Sequence, residues 1–280
     1  MTCDQHAVLL FHGLKSNPFE LRSVTQALIA RGHPVFVPHI PGYADTPIGS
    51  RPGSWREWLR HAVREFDALA EKYPQVSVGG LSGGASLAMA VAISRHERVF
   101  SAVLLSVTLF YDGWATPWTT RLRHIGYYSP LRWFWRVRER EPYGVKNVAL
   151  RRWIKNAMMA KNTSHAGAAL LPLNGIHEVE RMAHFVRRHV ARLDMPVLMV
   201  HARQDEVTSL RSPEYLMERL RHPAKRLLVL ENSYHMITLD NDRAQVSQVV
   251  CDFLNTSETL EPPKANELDI TTDKSRTGRA

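Results

Sequence analysis

The sequence predicts an α/β protein in which a mostly parallel sheet is flanked by helices and carries an inserted helical cap. Three observations lead there. Short apolar runs bounded by turn residues alternate with amphipathic stretches, the order of strand and crossover helix that builds a parallel sheet. The runs are dense in Val and Leu without polar alternation, as strands covered on both faces require. One basic, aromatic stretch interrupts the alternation after the fourth run. With 280 residues, 44% of them apolar, the chain has material for one well-buried core.

The elements follow in order. A first strand is expected at AVLLF (7–11). Asn17, Pro18 and Glu20 then offer an N-cap, an N1 proline and a capping-box partner for a helix whose Val24 and Leu28 share a face and which Gly32 stops. The second strand is PVFVP (34–38), and Ser54 with Glu57 forms an S-x-x-E box ahead of a helix running to about Glu71. QVSVGG (75–80) and SAVLLS (101–106) are the third and fourth strands, separated by the helix former ASLAMAVAIS. After the interruption, Val179, Met182, Val186 and Val190 recur at helical spacing, PVLMVHA (196–202) is the fifth strand, and Ser212 with Pro213 opens another helix. RLLVLE (226–231) is the sixth strand. Val246, Val249, Val250 and Phe253 then mark a last helix ending near Leu254. All six strands are expected to be buried on both faces. The resulting division is a core from 1–110 and 176–255, a helical cap from 111–175, and a polar tail from 256–280, with Pro262 and Pro263, expected to be disordered.

Charge sets the cap apart. The net charge is +9, and the stretch from Arg121 to Lys161 alone holds eight Arg and three Lys against Glu139 and Glu141, so the remainder sums to zero. Five of the seven tryptophans (114, 118, 133, 135 and 153) lie in or just before it. The opening MTCDQHAVLLFHG has no basic start or cleavage site of a secretory signal, and the longest apolar run, 99–111, is too short to cross a bilayer. Cys3 and Cys251 are too few for a disulfide framework, so a reducing cytoplasm is the expected location. The histidines are too scattered for metal ligation, with His184 and His189 read as exposed helix positions. No nucleic-acid motif accompanies the basic stretch.

Chemistry enters at VSVGGLSGGASLAMA (76–90). Gly80-Leu81-Ser82-Gly83-Gly84 matches G-x-S-x-G, a weak signal alone. Here it follows a buried strand and opens a helix, the strand-turn-helix context in which the serine sits on a strained elbow and small neighbours prevent collision. A serine hydroxyl needs a base that an acid orients. Asp205 at the carboxyl end of the fifth strand and His235 just past the sixth fall where parallel strands gather their working groups, although Glu206 adjoins Asp205 and leaves the identity of the acid open. A developing oxyanion needs backbone donors, for which Gly83 N–H, at a helix start, and Leu14 N–H, in the His-Gly loop after the first strand, are placed. His12 is expected to brace that loop.

LLFHGLKSNPFELRSVTQALIARGHPVFVPHIPGYADTP, GGLSGG, VHARQDEVTS and ENSYHMITLD resemble the α/β-hydrolases, and within them bacterial carboxylesterases and monoacylglycerol lipases, over residues 7–255 apart from the cap. The resemblance implies an α/β-hydrolase fold with Ser82 as nucleophile, Asp205 as orienting acid, His235 as base, and Leu14 and Gly83 as oxyanion donors. It implies no metal, no organic cofactor, and a small acyl ester as substrate. Leu14 stands where these esterases often carry an aromatic residue, and PGYA at Pro41 to Ala44 stands where PGHG is usual, so the acyl pocket is expected to differ. Leu170, Leu171 and the cap tryptophans are expected to accept the acyl chain. Two further readings stay open: a thioesterase or acyltransferase on carrier-bound acyl groups, and a catalytically silent binding protein. The basic cap, 121–161, has three: a solvated surface, a lid facing a membrane surface, and a dock for an acidic carrier protein.

Overall fold

Hydrogen bonding of six consecutive parallel strands organises the computed structural model, which describes residues 5–44, 53–116, 123–138, 140–161, 163–164, 167–168 and 170–256. The elements in chain order are β1 (His6–Phe11), α1 (Arg22–Ile29), β2 (Val35–Phe36), α2 (Trp55–Ala70), β3 (Gln75–Leu81), α3 (Gly83–Ser94) and β4 (Ala102–Leu105). An insertion follows with α4 (Arg123–Tyr127), β5 (Arg136–Arg138), α5 (Val148–Lys161), β6 (Thr163–Ser164), β7 (Gly167–Ala168) and β8 (Leu170–Pro172). The chain closes with α6 (Leu173–His189), β9 (Val197–Ala202), α7 (Arg211–Arg219), β10 (Lys225–Leu230) and α8 (Arg243–Thr256). The main sheet runs β10-β9-β4-β3-β1-β2, and every pairing in it is parallel.

All six expected strands form. Two of them are not doubly buried, however. β2 and β10 are the edges of the sheet, and their residues are half-buried or exposed apart from Leu230. An edge strand lacks a neighbour on one side and receives less helix cover, and an apolar run in sequence does not reveal its place in the sheet order. The inner strands β1 and β9 are buried throughout.

Helices cover both faces. Val24 and Leu28 of α1 pack with Val246, Val250 and Leu254 of α8 on one side. On the other, Trp58, Ala62 and Phe66 of α2, the whole of α3, and Val179, Met182 and Val186 of α6 form the larger core. α3 is buried from Gly83 to Ile93, which its all-round apolar sequence permits. Besides the helices α4 and α5, the insertion holds two short ribbons outside the main sheet: β5 pairs antiparallel with β8, and β6 with β7.

Local signals are kept at some helix starts and overridden at others. The Ser54–Glu57 capping box forms in both directions. Asn17 accepts the Phe19 N–H at 3.0 Å and Pro18 opens a short 3-10 turn that leads into α1. Glu20 is not the capping partner that the spacing suggests; its carboxylate turns inward to Gly13 N–H and the Ser16 hydroxyl. Ser212 likewise does not cap α7, which begins one residue earlier, and its hydroxyl accepts the N–H groups of Leu109 and Phe110, each at 3.2 Å. In both cases the buried side chain bonds to donors other than those its spacing suggests. Among the described residues no helix is long and apolar enough to cross a membrane. Cys3, Trp118 and the tail from 257 onward lie outside the described residues.

Candidate active site

The site begins at the point where the chain reverses its direction across the sheet. From β1 the chain steps out to β2, then returns to place β3 on the other side of β1. Loops leaving the carboxyl ends of the adjacent strands β1 and β3 therefore diverge and leave a crevice. Leu14 follows β1, and Ser82 follows β3.

Ser82 occupies φ 57°, ψ −121°, a backbone region that side chains other than glycine avoid. The flanking glycines make it attainable. A Cβ on Gly80 would lie 2.4 Å from the Phe11 carbonyl oxygen, and one on Gly84 would lie 2.1 Å from the same oxygen and 2.4 Å from that of His12. The start of α3 therefore rests against the end of β1, and the turn lifts the Ser82 side chain at the helix N-terminus.

Two distant loops meet it. The Ser82 hydroxyl donates to His235 Nε2 at 2.8 Å, and His235 Nδ1–H donates to Asp205 Oδ2 at 2.7 Å. Asp205 follows β9 and His235 follows β10. The second Asp205 oxygen accepts the N–H groups of Val207 at 2.8 Å and Thr208 at 2.9 Å. Burial opposes ionisation of this carboxyl. The His235 imidazole, His201 and the Thr208 N–H overcome that opposition and hold it below the usual carboxylate range. Glu206 touches a different atom: its Oε2 accepts the His235 backbone N–H at 3.1 Å, and burial raises its carboxyl. The imidazole thus meets Asp205, and the adjoining glutamate holds the loop.

That loop is tied down further. The Ser106 hydroxyl donates to the His235 carbonyl at 2.7 Å, Met236 N–H donates to the Gly144 carbonyl at 2.8 Å, and Asp240 accepts the N–H groups of Tyr234, Lys146 and Asn147. The insertion and the histidine loop are therefore bonded together through one carboxylate. Thr108 Oγ1 lies 3.4 Å from Ser82 Oγ.

Around Leu14 the loop is closely packed. Tyr43, of the PGYA stretch, is fully buried, donates to the His12 carbonyl at 2.9 Å and stacks on the His12 ring. His12 Nδ1–H donates to the Gly13 carbonyl at 2.8 Å. Burial lowers the His12 imidazole to about 4, against the Gly13 hydrogen bond and with His39 adding to it, so it braces the loop as a neutral ring. Neither Leu14 N–H nor Gly83 N–H donates to an acceptor among the described residues. α6 lies over both: a Cβ on Gly83 would meet Val179 at 3.5 Å, and one on Gly175 would meet Leu14 at 3.4 Å. Trp114, Trp133, Trp135 and Trp153 are between 43% and 60% exposed. Among the described residues no three His, Cys, Asp or Glu side chains gather as metal ligands.

Of the five site residues chosen from the sequence, Ser82, His235 and Asp205 are joined by hydrogen bonds, while Leu14 follows β1 and Gly83 starts α3 just past β3, the neighbour of β1 in the sheet order. Thr108 and Tyr43 were not chosen. Thr108 follows the end of β4, the same signal that selected Asp205 and His235, whereas Tyr43 stood out only as part of PGYA in place of PGHG.

Comparisons with known proteins agree with this architecture. The chain is 23% identical to a carboxylesterase of Bacillus subtilis (strain 168) over 249 residues, covering 89% of this chain and 92% of that one. It is 19% identical to a thermostable monoacylglycerol lipase of Bacillus sp. (strain H-257), covering 88% and 89%. A soluble variant of the Saccharomyces cerevisiae monoglyceride lipase, solved with a substrate analogue, superposes with a TM-score of 0.76 at 15% identity, covering 93% and 90%. The fold is that of the α/β-hydrolases. The sequence profile of the family described as serine aminopeptidase, S33, matches residues 2–242, and the chain belongs to that family.

Proposed function

We propose that this protein is a serine hydrolase of carboxylic esters that works through an acyl-enzyme on Ser82. One observation carries the reading: the unbroken run of hydrogen bonds from Ser82 Oγ to His235 Nε2 and from His235 Nδ1 to Asp205 Oδ2. His235 accepts the hydroxyl proton as Ser82 attacks the ester carbonyl, and Asp205 holds the tautomer that leaves Nε2 free to accept. The negative oxygen of the tetrahedral intermediate lies between Leu14 N–H and Gly83 N–H. His235 returns its proton to the departing alcohol, and water releases the acid by the same steps in reverse order.

The carboxylesterase and lipase relatives favour esters over carrier-bound thioesters, and the intact hydrogen-bonded chain argues against a silent binding protein. The substrate is a small acyl ester, and nothing in this chemistry asks for a cofactor. The region from 111 to 175 acts as a cap over the core. Its outer face supports contact with an anionic lipid surface: Trp133, Phe134 and Trp135 are 43%, 81% and 57% exposed beside the exposed Arg136 and Arg138. Charge alone suits an acidic carrier protein equally well, but solvent-exposed aromatic rings interleaved with guanidinium groups suit a headgroup region better. Two cysteines far apart in the chain fit a reducing cytoplasm.

The test is turnover of p-nitrophenyl esters, monoacylglycerols and acyl thioesters by wild type and Ser82→Ala. Ester turnover is expected to fall by at least about 10⁴-fold in the variant, with loss of fluorophosphonate labelling. Equal turnover by the two proteins overturns the reading.

A further inference from the structure

The loop after β1 spends its donors selectively. Gly13 N–H donates to Glu20 Oε1, Lys15 N–H to the Tyr43 carbonyl at 2.8 Å, and Ser16 N–H to the Gly13 carbonyl at 3.2 Å. The Ser16 hydroxyl donates to Glu20 Oε2. Within the run from Gly13 to Ser16, only Leu14 N–H has no acceptor among the described residues. Glu20 is 1% exposed and sits directly beneath the loop, where a Cβ on Gly13 would lie 3.3 Å from its Oε1. We propose that Glu20 is a positioning residue for the oxyanion site: its carboxylate holds Gly13 and Ser16 on either side and thereby fixes the direction of the Leu14 N–H. The inference rests on the ester-hydrolase reading above, since it concerns how that site holds its donor.

The two oxygens of Glu20 both face donors, so the carboxylate fits the clamp. A protonated acid fits it less well: its O–H can donate to the Ser16 hydroxyl, which accepts as well as donates, but Gly13 N–H then meets a neutral acceptor that holds it more weakly than the carboxylate does. Burial pushes this carboxyl up to about 7, with the Ser16 hydroxyl, Gly13 N–H and His235 pulling it down. The titratable groups that interact with it are His235, from the loop after β10, and Tyr43, from the loop after β2. Lys15 and His12 share its own loop. Both Glu20 and His235 must therefore give up a proton before the site is fully competent. The acid limb of kcat/KM then reflects two protons and not one.

Steady-state ester hydrolysis by wild type, Glu20→Ala and Glu20→Gln, from about pH 5 to 9, tests this. Glu20→Ala is expected to lower kcat about 10- to 100-fold with KM held within about threefold, because the freed loop weakens a donor used only in the transition state. Glu20→Gln stands for the protonated acid, a neutral acceptor for Gly13 N–H, so it is expected to lower kcat at high pH by less than Glu20→Ala does, about three- to tenfold. Its acid limb is expected to show one proton where wild type shows two. A role in packing alone lowers the melting temperature and leaves the proton count unchanged. The inference is overturned if kcat of Glu20→Ala stays within about twofold of wild type, if its loss falls on KM alone, or if the Glu20→Gln limb superposes on wild type. Should Glu20→Ala fail to fold, the Glu20→Gln limb decides. Failure of the ester reading looks different: wild type then has no Ser82-dependent turnover at all.

Discussion

Backbone strain at Ser82 is sustained by the two glycines that let β1 and α3 touch. Of these, Gly84 has the less room, since a methyl group there meets two carbonyl oxygens of the β1 end at 2.1 and 2.4 Å. Backbone cannot yield as a side-chain tip does, so Gly84→Ala forces β1 and α3 apart and is expected to cost about 3 kcal/mol or more of unfolding free energy. A denaturant titration that puts the variant within about 0.5 kcal/mol of wild type removes this account of the elbow. The same residues show what a sequence makes legible. Ser82, Asp205 and His235 were visible because each lies just past a strand, and parallel strands bring their carboxyl ends to one rim whatever their order. Glu20 and Ser212 were misread as helix caps because spacing registers only the local donors, and both turn to donors that tertiary packing brings near. Tyr43 was legible only as a departure of PGYA from the usual PGHG, its use being set by contact with His12 across the fold.

At the scale of elements, the six strands were legible from apolar runs, whereas their sheet order was not, and so the two edge strands were assigned too much burial. The insertion was visible as a break in charge and pattern. Its short ribbons were hidden because two- and three-residue pairings carry no periodicity of their own. What it presents outward is testable directly. If the rings of Trp133, Phe134 and Trp135 enter a headgroup layer while nearby guanidinium groups meet lipid phosphates, the full chain sediments with vesicles of phosphatidylcholine and phosphatidylglycerol. It does so far less with phosphatidylcholine alone. Replacing the three rings by alanine is expected to weaken binding to the anionic vesicles at least about tenfold, and added salt to weaken the wild type, while turnover of a soluble p-nitrophenyl ester stays within about twofold. Indifference of vesicle binding to the three rings rules out the lipid-facing reading. An acidic carrier protein that binds with the same dependence on Arg136 and Arg138 then takes its place.

Over the whole molecule, the buried titratable groups oppose one another, and their balance sets how stability follows pH. His6, His12 and His201 each keep one ring nitrogen buried without a partner among the described residues. Burial lowers His6 and His12 from 6.5 to about 4 and lowers His201 as well. As pH falls below 6.5 the unfolded chain takes up protons that these folded rings refuse, so each contributes stability that is lost on acidification. Each does so at about 1.4 kcal/mol per pH unit where the difference is complete. Glu20 acts in the other direction, because its folded value of about 7 exceeds the ordinary 4.5. Between those values the folded state holds a proton that the unfolded state has released, and acidification stabilises. Glu206, whose carboxyl burial also raises, acts with Glu20, and the three histidines outnumber the two glutamates, so unfolding free energy is expected to drop by about 2 kcal/mol between pH 6.5 and 5. Glu20→Gln removes one of the two opposing groups. Its drop over the same interval should therefore be larger, at about 4 kcal/mol. Urea titrations of both proteins at the two pH values decide the matter: a wild-type stability that is flat or rises toward pH 5, or a variant whose drop equals that of wild type, shows that these groups do not govern the acid response of the fold.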